Sequence, residues 1–177
     1  MSTALAARDR GALTGTHKYL SFTLQGEVYA MGIEQVKEII EFRPITLVPM
    51  MPAFMRGVIN LRGTVVPVID LSRRFGGGPS VVGRRTCVVI LELPADEASE
   101  VGPQVIGVIV DAVNAVLDIA AGAIEPPPSF GTGIRPDFLQ GMGKVKERFV
   151  LILNVHKALS LEELKELRNA PTHEALT

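Results

Sequence analysis

The strongest constraint on this chain is an internal duplication. Residues 52–75, PAFMRGVINLRGTVVPVIDLSRRF, align without gaps with residues 136–159, PDFLQGMGKVKERFVLILNVHKAL. Pro52/Pro136, Phe54/Phe138, Gly57/Gly141 and Val66/Val150 are identical, and Leu61/Val145, Arg62/Lys146, Val68/Ile152 and Asp70/Asn154 are alike in kind. Upstream, YAMGIEQVKEIIEF (29–42) aligns with IGVIVDAVNAVLDI (106–119), which places Glu34 with Asp111 and Val36 with Val113. The two alignments differ in offset, so the second copy carries an insertion near 129–135. Two blocks recurring in one order mark two copies of one supersecondary unit. Neither copy is long enough to bury a comfortable core alone, so the two must share an interface.

Each copy reads as β structure. Val58 to Leu61 and Val65 to Leu71 are apolar runs split by Arg62-Gly63, which predicts a tight hairpin with Arg62 at its turn. Pro67 has no N–H to give a ladder, so it belongs at an edge, a bulge or a barrel corner. Asp70 ends the run and is placed to cap a short helix over 71–75. In KYLSFTL, Leu20, Phe22 and Leu24 alternate with polar or smaller residues as in a half-buried strand, and VYAMGI returns after Gln25-Gly26-Glu27. IEQVKEIIEF predicts a helical turn at 34–37 running into a strand at 37–42. Pro44, Pro49 and Pro52 break the next segment, with a helical turn at 52–55. GGGPSVVGRR is a linker by composition. TCVVILEL and QVIGVIV form a second hairpin around the acidic loop PADEASEVGP, and residues 141–155 supply two more strands. Ser160 with Glu163 is a capping box that opens a C-terminal helix with Leu161, Leu164 and Leu167 on one face.

Closing each unit into a barrel removes its exposed edges. The predicted fold is all-β: two five-stranded barrels related by a pseudo-twofold, with short helices and a groove between them. Residues 1–16 are expected to be a flexible tail. The domain is expected over 17–168, its interleaved barrels centred on 29–75 and 86–155, with a fraying tail at 169–177.

Composition narrows the function classes. With 47% apolar residues the chain is not globally disordered, and a net charge of −1 gives no bulk basic footprint for nucleic acid. No apolar run approaches the ~20 residues of a membrane helix, and the N-terminus lacks the apolar stretch of a secretory signal. A soluble cytoplasmic protein without membrane insertion is expected. The single cysteine, Cys87, permits no internal disulfide and reads as a small core side chain. His17, His156 and His173 lack metal-ligand spacing, and Gly141-Met142-Gly143-Lys144 lacks the Ser/Thr and the spacing of a phosphate loop. No catalytic residue, metal or cofactor is predicted.

FMRGVINLRGTVVPVIDLSRRF, preceded by YAMGIEQVKEII and followed by VIGVIVDAVNAVLDI, resembles the CheW family of chemotaxis coupling proteins over residues 18–168. The resemblance implies SH3-like barrels and a stand-alone, non-enzymatic adaptor. Its implied partners are the cytoplasmic tip of a chemoreceptor, the regulatory domain of the histidine kinase CheA and other CheW copies in arrays at the inner membrane. Taken alone, Arg62 reads as a solvated turn arginine and Val36 and Ile39 as core. The resemblance instead implies receptor contact for Val36, Glu38, Ile39 and Arg62, with Val108 and Val113 as weaker candidates better explained by packing. It implies kinase contact for Ile45, Arg56, Gly57 and Phe130. A twin-barrel module that senses a small ligand is the alternative class.

Overall fold

The structure, a computed structural model, describes residues 15–94, 103–126 and 136–159. β1 (Thr16–Leu24) and β2 (Glu27–Gly32) form a hairpin about Gln25 and Gly26, whose φ values of 51° and 81° give the primed turn that matches strand twist. A 3-10 turn at Ile33–Gln35 leads into β3 (Val36–Glu41). Then come β4 (Met55–Leu61), β5 (Thr64–Asp70) and the one-turn helix α1 (Leu71–Arg74). β6 (Cys87–Leu93) and β7 (Gln104–Val110) form the next hairpin, followed by β8 (Ala112–Ala120). A 3-10 turn at Ala121–Ala123 separates β8 from β9 (Ile124–Glu125). A further 3-10 turn, Pro136–Phe138, precedes β10 (Leu139–Val145), β11 (Arg148–Leu153) and α2 (Val155–Ala158).

Two sheets result, in the orders β3-β6-β7-β5-β4 and β8-β1-β2-β11-β10-β9. Each closes on itself through the continuation of its first strand. Past β3, Thr46 bridges to Val58 of β4. Past β8, β9 pairs with β10 through Ile124 and Gly143. The expected two-barrel, all-β architecture is therefore present, with β9 acting as the far end of a bent β8.

Sheet membership departs from the expected division at 29–75 and 86–155. The β6–β7 hairpin pairs with β3 and β5, whereas β1–β2 pairs with β8 and β11. The chain crosses between sheets at the 3-10 turn 33–35 and again at Asp111. Sequence order groups neighbouring strands, but either hairpin can supply the partner edge, and long-range packing selects the exchange.

Burial explains the choice. β6 is apolar on both faces: Val88 and Ile90 enter the first barrel, while Val89, Leu91 and Leu93 enter a core shared by the two sheets. β1 does the same with Tyr19 in the second barrel and Leu20, Phe22 and Leu24 in the shared core. Strands buried on both faces lose clean alternation. An aromatic row crosses the centre, with ring centroids 5.8 Å apart for Phe22–Tyr29, 5.5 Å for Tyr29–Phe75 and 6.0 Å for Phe75–Phe138. Pro67 pairs with Val58 on β4, and β5 acquires its second neighbour, β7, only from Val68 onward. The missing N–H thus falls outside the doubly paired part of the strand.

Four local expectations change. Asp70 occupies the N-cap position of α1 but makes no cap bond. Its fully buried carboxylate accepts from Ser80 N at 2.9 Å and Ser80 Oγ at 2.7 Å, and meets Arg56 at 3.3 Å. A buried carboxylate needs several strong donors, and a single helix N–H supplies less than these three. Its counterpart Asn154 does cap α2, accepting from Lys157 N at 3.2 Å. Consequently residues 76–84 are no free linker: Ser80 pins them to the body. The predicted helical turn at 52–55 is a plain turn at 53–54, with β4 starting at Met55. Strand β1 begins at Thr16, so the last residue assigned to the N-terminal tail belongs to the domain. The predicted C-terminal helix and both outer tails lie mostly or wholly outside the described residues.

Candidate functional site

The β4–β5 turn holds Arg62 at φ 52° and Gly63 at φ 87°, and Asn60 Oδ1 accepts from Gly63 N at 2.8 Å. Two left-handed residues in succession make the primed hairpin turn. The second copy repeats this backbone with Lys146 at φ 48° and Glu147 at φ 67°. Conformation is duplicated here and chemistry is not.

Barrel closure carries the β4–β5 turn to β3, where Arg62 meets Glu38. The guanidinium presents two donors to the carboxylate, Nη1 to Oε1 at 3.2 Å and Nη2 to Oε2. The Arg62 hydrogen bond holds the Glu38 carboxyl below its usual range, and Glu38 in turn raises Arg62. A planar two-donor fork fixes direction as well as distance. In strand register the counterpart of Glu38 is Ala115, since Glu38 lies opposite Ile90 and Ala115 opposite Ser21, each just past a bulge. Lys146 therefore has no acidic counterpart to Glu38 in the second barrel.

The bulge between Val36 and Glu38 has a second effect. Val36 lies opposite Leu91 and Ile39 opposite Val89, both members of the shared core. Directly opposed residues share a face. Val36 and Ile39 thus face the junction of the barrels despite their odd spacing, while Glu38 and Ile40 turn the other way. Val36 is half-buried against the shared core; Ile39 is 42% exposed. Val113 repeats the placement of Val36. Val108 is fully buried in the shared core, as packing alone suggests.

Of the kinase set, Ile45 is half-buried against the core of the first barrel. Gly57 is buried with φ 147°, and a Cβ there would collide with the Thr46 carbonyl oxygen and approach Ile45 Cγ2. Thr46 and Val58 exchange backbone hydrogen bonds of 2.9 and 2.8 Å beside it. Gly141 stands in the same relation to Glu125 O and Ile124 Cγ2. The glycine is thus taken up by barrel closure in both copies. Arg56 has its guanidinium on buried Asp70 and retains 30% side-chain exposure. Phe130 lies outside the described residues.

Apart from Ile39, sequence reasoning missed a set of exposed apolar side chains that also obeys the duplication. Val65 is 64% exposed and its counterpart Phe149 51%; Ile39 corresponds in register to Val116, which is 50% exposed. The two sequence alignments already set these positions in register, but apolar character alone did not tell exposed side chains from buried ones. Among the described residues no three His, Cys, Asp or Glu side chains are grouped to hold a metal, and no helix is long and apolar enough to cross a membrane.

A family model described as CheW-like domain matches residues 18–163. The chain is 34% identical over 152 residues to the chemotaxis protein CheW of Klebsiella aerogenes, covering 86% of this chain and 87% of that protein. It is 30% identical over 149 residues to the probable chemotaxis protein CheW of Rhizobium etli, covering 84% and 91%. The crystal structure of the scaffolding protein TtCheW from Thermoanaerobacter tengcongensis superposes with a TM-score of 0.70 at 37% identity, covering 80% of this chain and 86% of that one.

Proposed function

The chain belongs to the CheW-like domain family, and from that premise we propose that it is a non-enzymatic chemotaxis adaptor coupling a chemoreceptor tip to the regulatory domain of the kinase CheA. The observation that carries this reading is the fork between Arg62 and Glu38 beside the half-exposed Ile39. A helical hairpin needs an apolar strip with a polar edge that sets its register. Ile39 and Val36 supply the strip on one face of β3. Glu38 and Arg62 supply the edge from the other face, where either can exchange its partner for a group on the helix.

Kinase contact is assigned to Ile45 and Arg56 around the barrel-closing segment 44–58, and to Phe130. Arg56 acts there with the exposed part of its side chain, its guanidinium already committed to Asp70. Gly57 belongs to the same surface: it lets the chain at Thr46 approach and leaves room for close approach of the kinase backbone. In the cell the protein is placed in the cytoplasm, recruited to receptor arrays with further copies of itself.

Pull-down of the purified protein against a CheA regulatory domain and, separately, a receptor signalling-tip fragment tests the reading. Binding to both is expected; binding to neither ends it. Ligand-dependent thermal stabilisation without kinase affinity would favour a small-molecule sensor instead.

A further inference from the structure

Each barrel has a crevice where the crossing strand, the end of the second hairpin and the one-turn helix meet, and the two crevices are filled differently. In the first barrel the chain just after α1 lies across it. Ser80 gives its N–H and Oγ–H to Asp70, Gly77 N donates to Ser72 O at 2.9 Å, and Ser72 Oγ donates to Gly78 O at 2.6 Å. Asp111, where the chain crosses between the sheets, accepts the backbone N–H of Gln25 at 2.8 Å.

The duplication maps this crevice onto a second one. Asp70, Arg56 and Ser72 become Asn154, Gln140 and His156, Asp111 becomes Glu34, and Thr86 becomes His17 by strand pairing. A cavity of about 280 Å³ lies there, lined by His17, Tyr19, Glu34, Gln140, Asn154 and His156 among others. No described segment crosses it as 77–80 crosses the first.

We propose that this cavity receives a short extended segment of a partner polypeptide, small and rich in hydrogen-bond donors, in the place that residues 77–80 take in the first barrel. The exchange of residues favours a removable occupant. In the first barrel the buried Asp70 carboxylate would keep only the partly exposed Arg56, at 3.3 Å, if Ser80 withdrew. In the second barrel the corresponding groups are the neutral amides Gln140 and Asn154, which water satisfies as readily as a peptide does. Asn154 spends its Oδ1 on the Lys157 N–H, leaving the amide hydrogens for an incoming carbonyl. Glu34 accepts no hydrogen bond among the described residues, while its counterpart Asp111 holds a backbone N–H. An entering backbone N–H therefore has an acceptor waiting, and an entering carbonyl has donors.

The probe is the chain's own filling sequence, GGGPSVVG (76–83), as a synthetic peptide titrated into the ¹⁵N-labelled full chain. Saturable shift changes confined to residues 17–19, 34–35, 140 and 153–156 are expected. The peptide with alanine for serine should bind about threefold or more weakly. The Gln140→Trp variant, which fills the cavity from an exposed position, should abolish the changes while keeping a dispersed spectrum. If it does not fold, His156→Tyr replaces it. Absence of saturable changes at millimolar peptide, or changes elsewhere, overturns the proposal. So do contacts from residues 160–177 into the cavity in the free protein, which would make the chain's own C-terminal segment the occupant. None of these readouts involves kinase or receptor, so the outcome is independent of the adaptor assignment.

Discussion

Arg74 donates its Nε–H to the carbonyl oxygen of Ala158 at 2.8 Å, and these two residues are the same position in the two copies. A position that touches its own counterpart lies on the pseudo-twofold axis. There only one of the two can carry a large side chain, and here it is arginine against alanine. The guanidinium also stacks on Phe54 at 4.8 Å and Phe138 at 4.6 Å, themselves counterparts. One side chain thereby ties both copies together at their centre of symmetry.

Arg74→Ala should destabilise the protein by about 2–4 kcal/mol, combining lost cation–π contacts with a charge-assisted hydrogen bond. Arg74→Lys should recover little, because an ammonium cannot stack on two rings and reach Ala158 O together. Urea unfolding of the variants measures both.

Arg62→Ala should leave the fold intact and weaken binding to a receptor tip about tenfold or more, as loss of an interface anchor does. Lys146→Ala, at the duplicated turn without an acidic counterpart, is the internal control and should bind normally. Equal affinity of Arg62→Ala and the unaltered chain would remove Arg62 from the receptor site.

Gly57→Ala and Gly141→Ala should each cost about 2 kcal/mol or more, because both insert a Cβ onto a backbone carbonyl. Similar losses at the two sites, read by chemical denaturation, would mark barrel closure as the common cause. A Gly57 variant that folds normally but loses the kinase would show the contact role directly.

Burial, and then Glu27, push Tyr29 up to about 12. Its phenol ionises near pH 10 in the unfolded chain. The raised folded value means stability is fully present below pH 10 and falls as pH rises toward 12. Tyr29→Phe should flatten that alkaline limb of a stability–pH curve; an unchanged limb would assign it to other groups.

Ser80→Ala should strip the Oγ–H donor from a carboxylate that stays buried, leave only the backbone N–H of residue 80 to hold residues 76–83, and cost about 1–3 kcal/mol. Hydrogen exchange should rise in that segment first. Unchanged protection there would show that Gly77 and Gly78 contacts suffice.

The duplication, the strands and the turn at Arg62-Gly63 were legible in the residues because they rest on local physics: apolar periodicity, turn chemistry and the length a core needs. The resemblance carried by FMRGVINLRGTVVPVIDLSRRF supplied the family and the candidate contacts. What sequence could not carry was pairing between distant strands. An apolar face says that a strand is buried, not against which sheet, so the exchange of the β1–β2 and β6–β7 hairpins came only with the tertiary structure. The same pairing sets the bulge that turns Val36 and Ile39 onto one face, brings Glu38 within reach of Arg62, and lays Thr46 over Gly57. It also sends Ser80 back to Asp70, converting an apparent helix cap and an apparent linker into one buried contact.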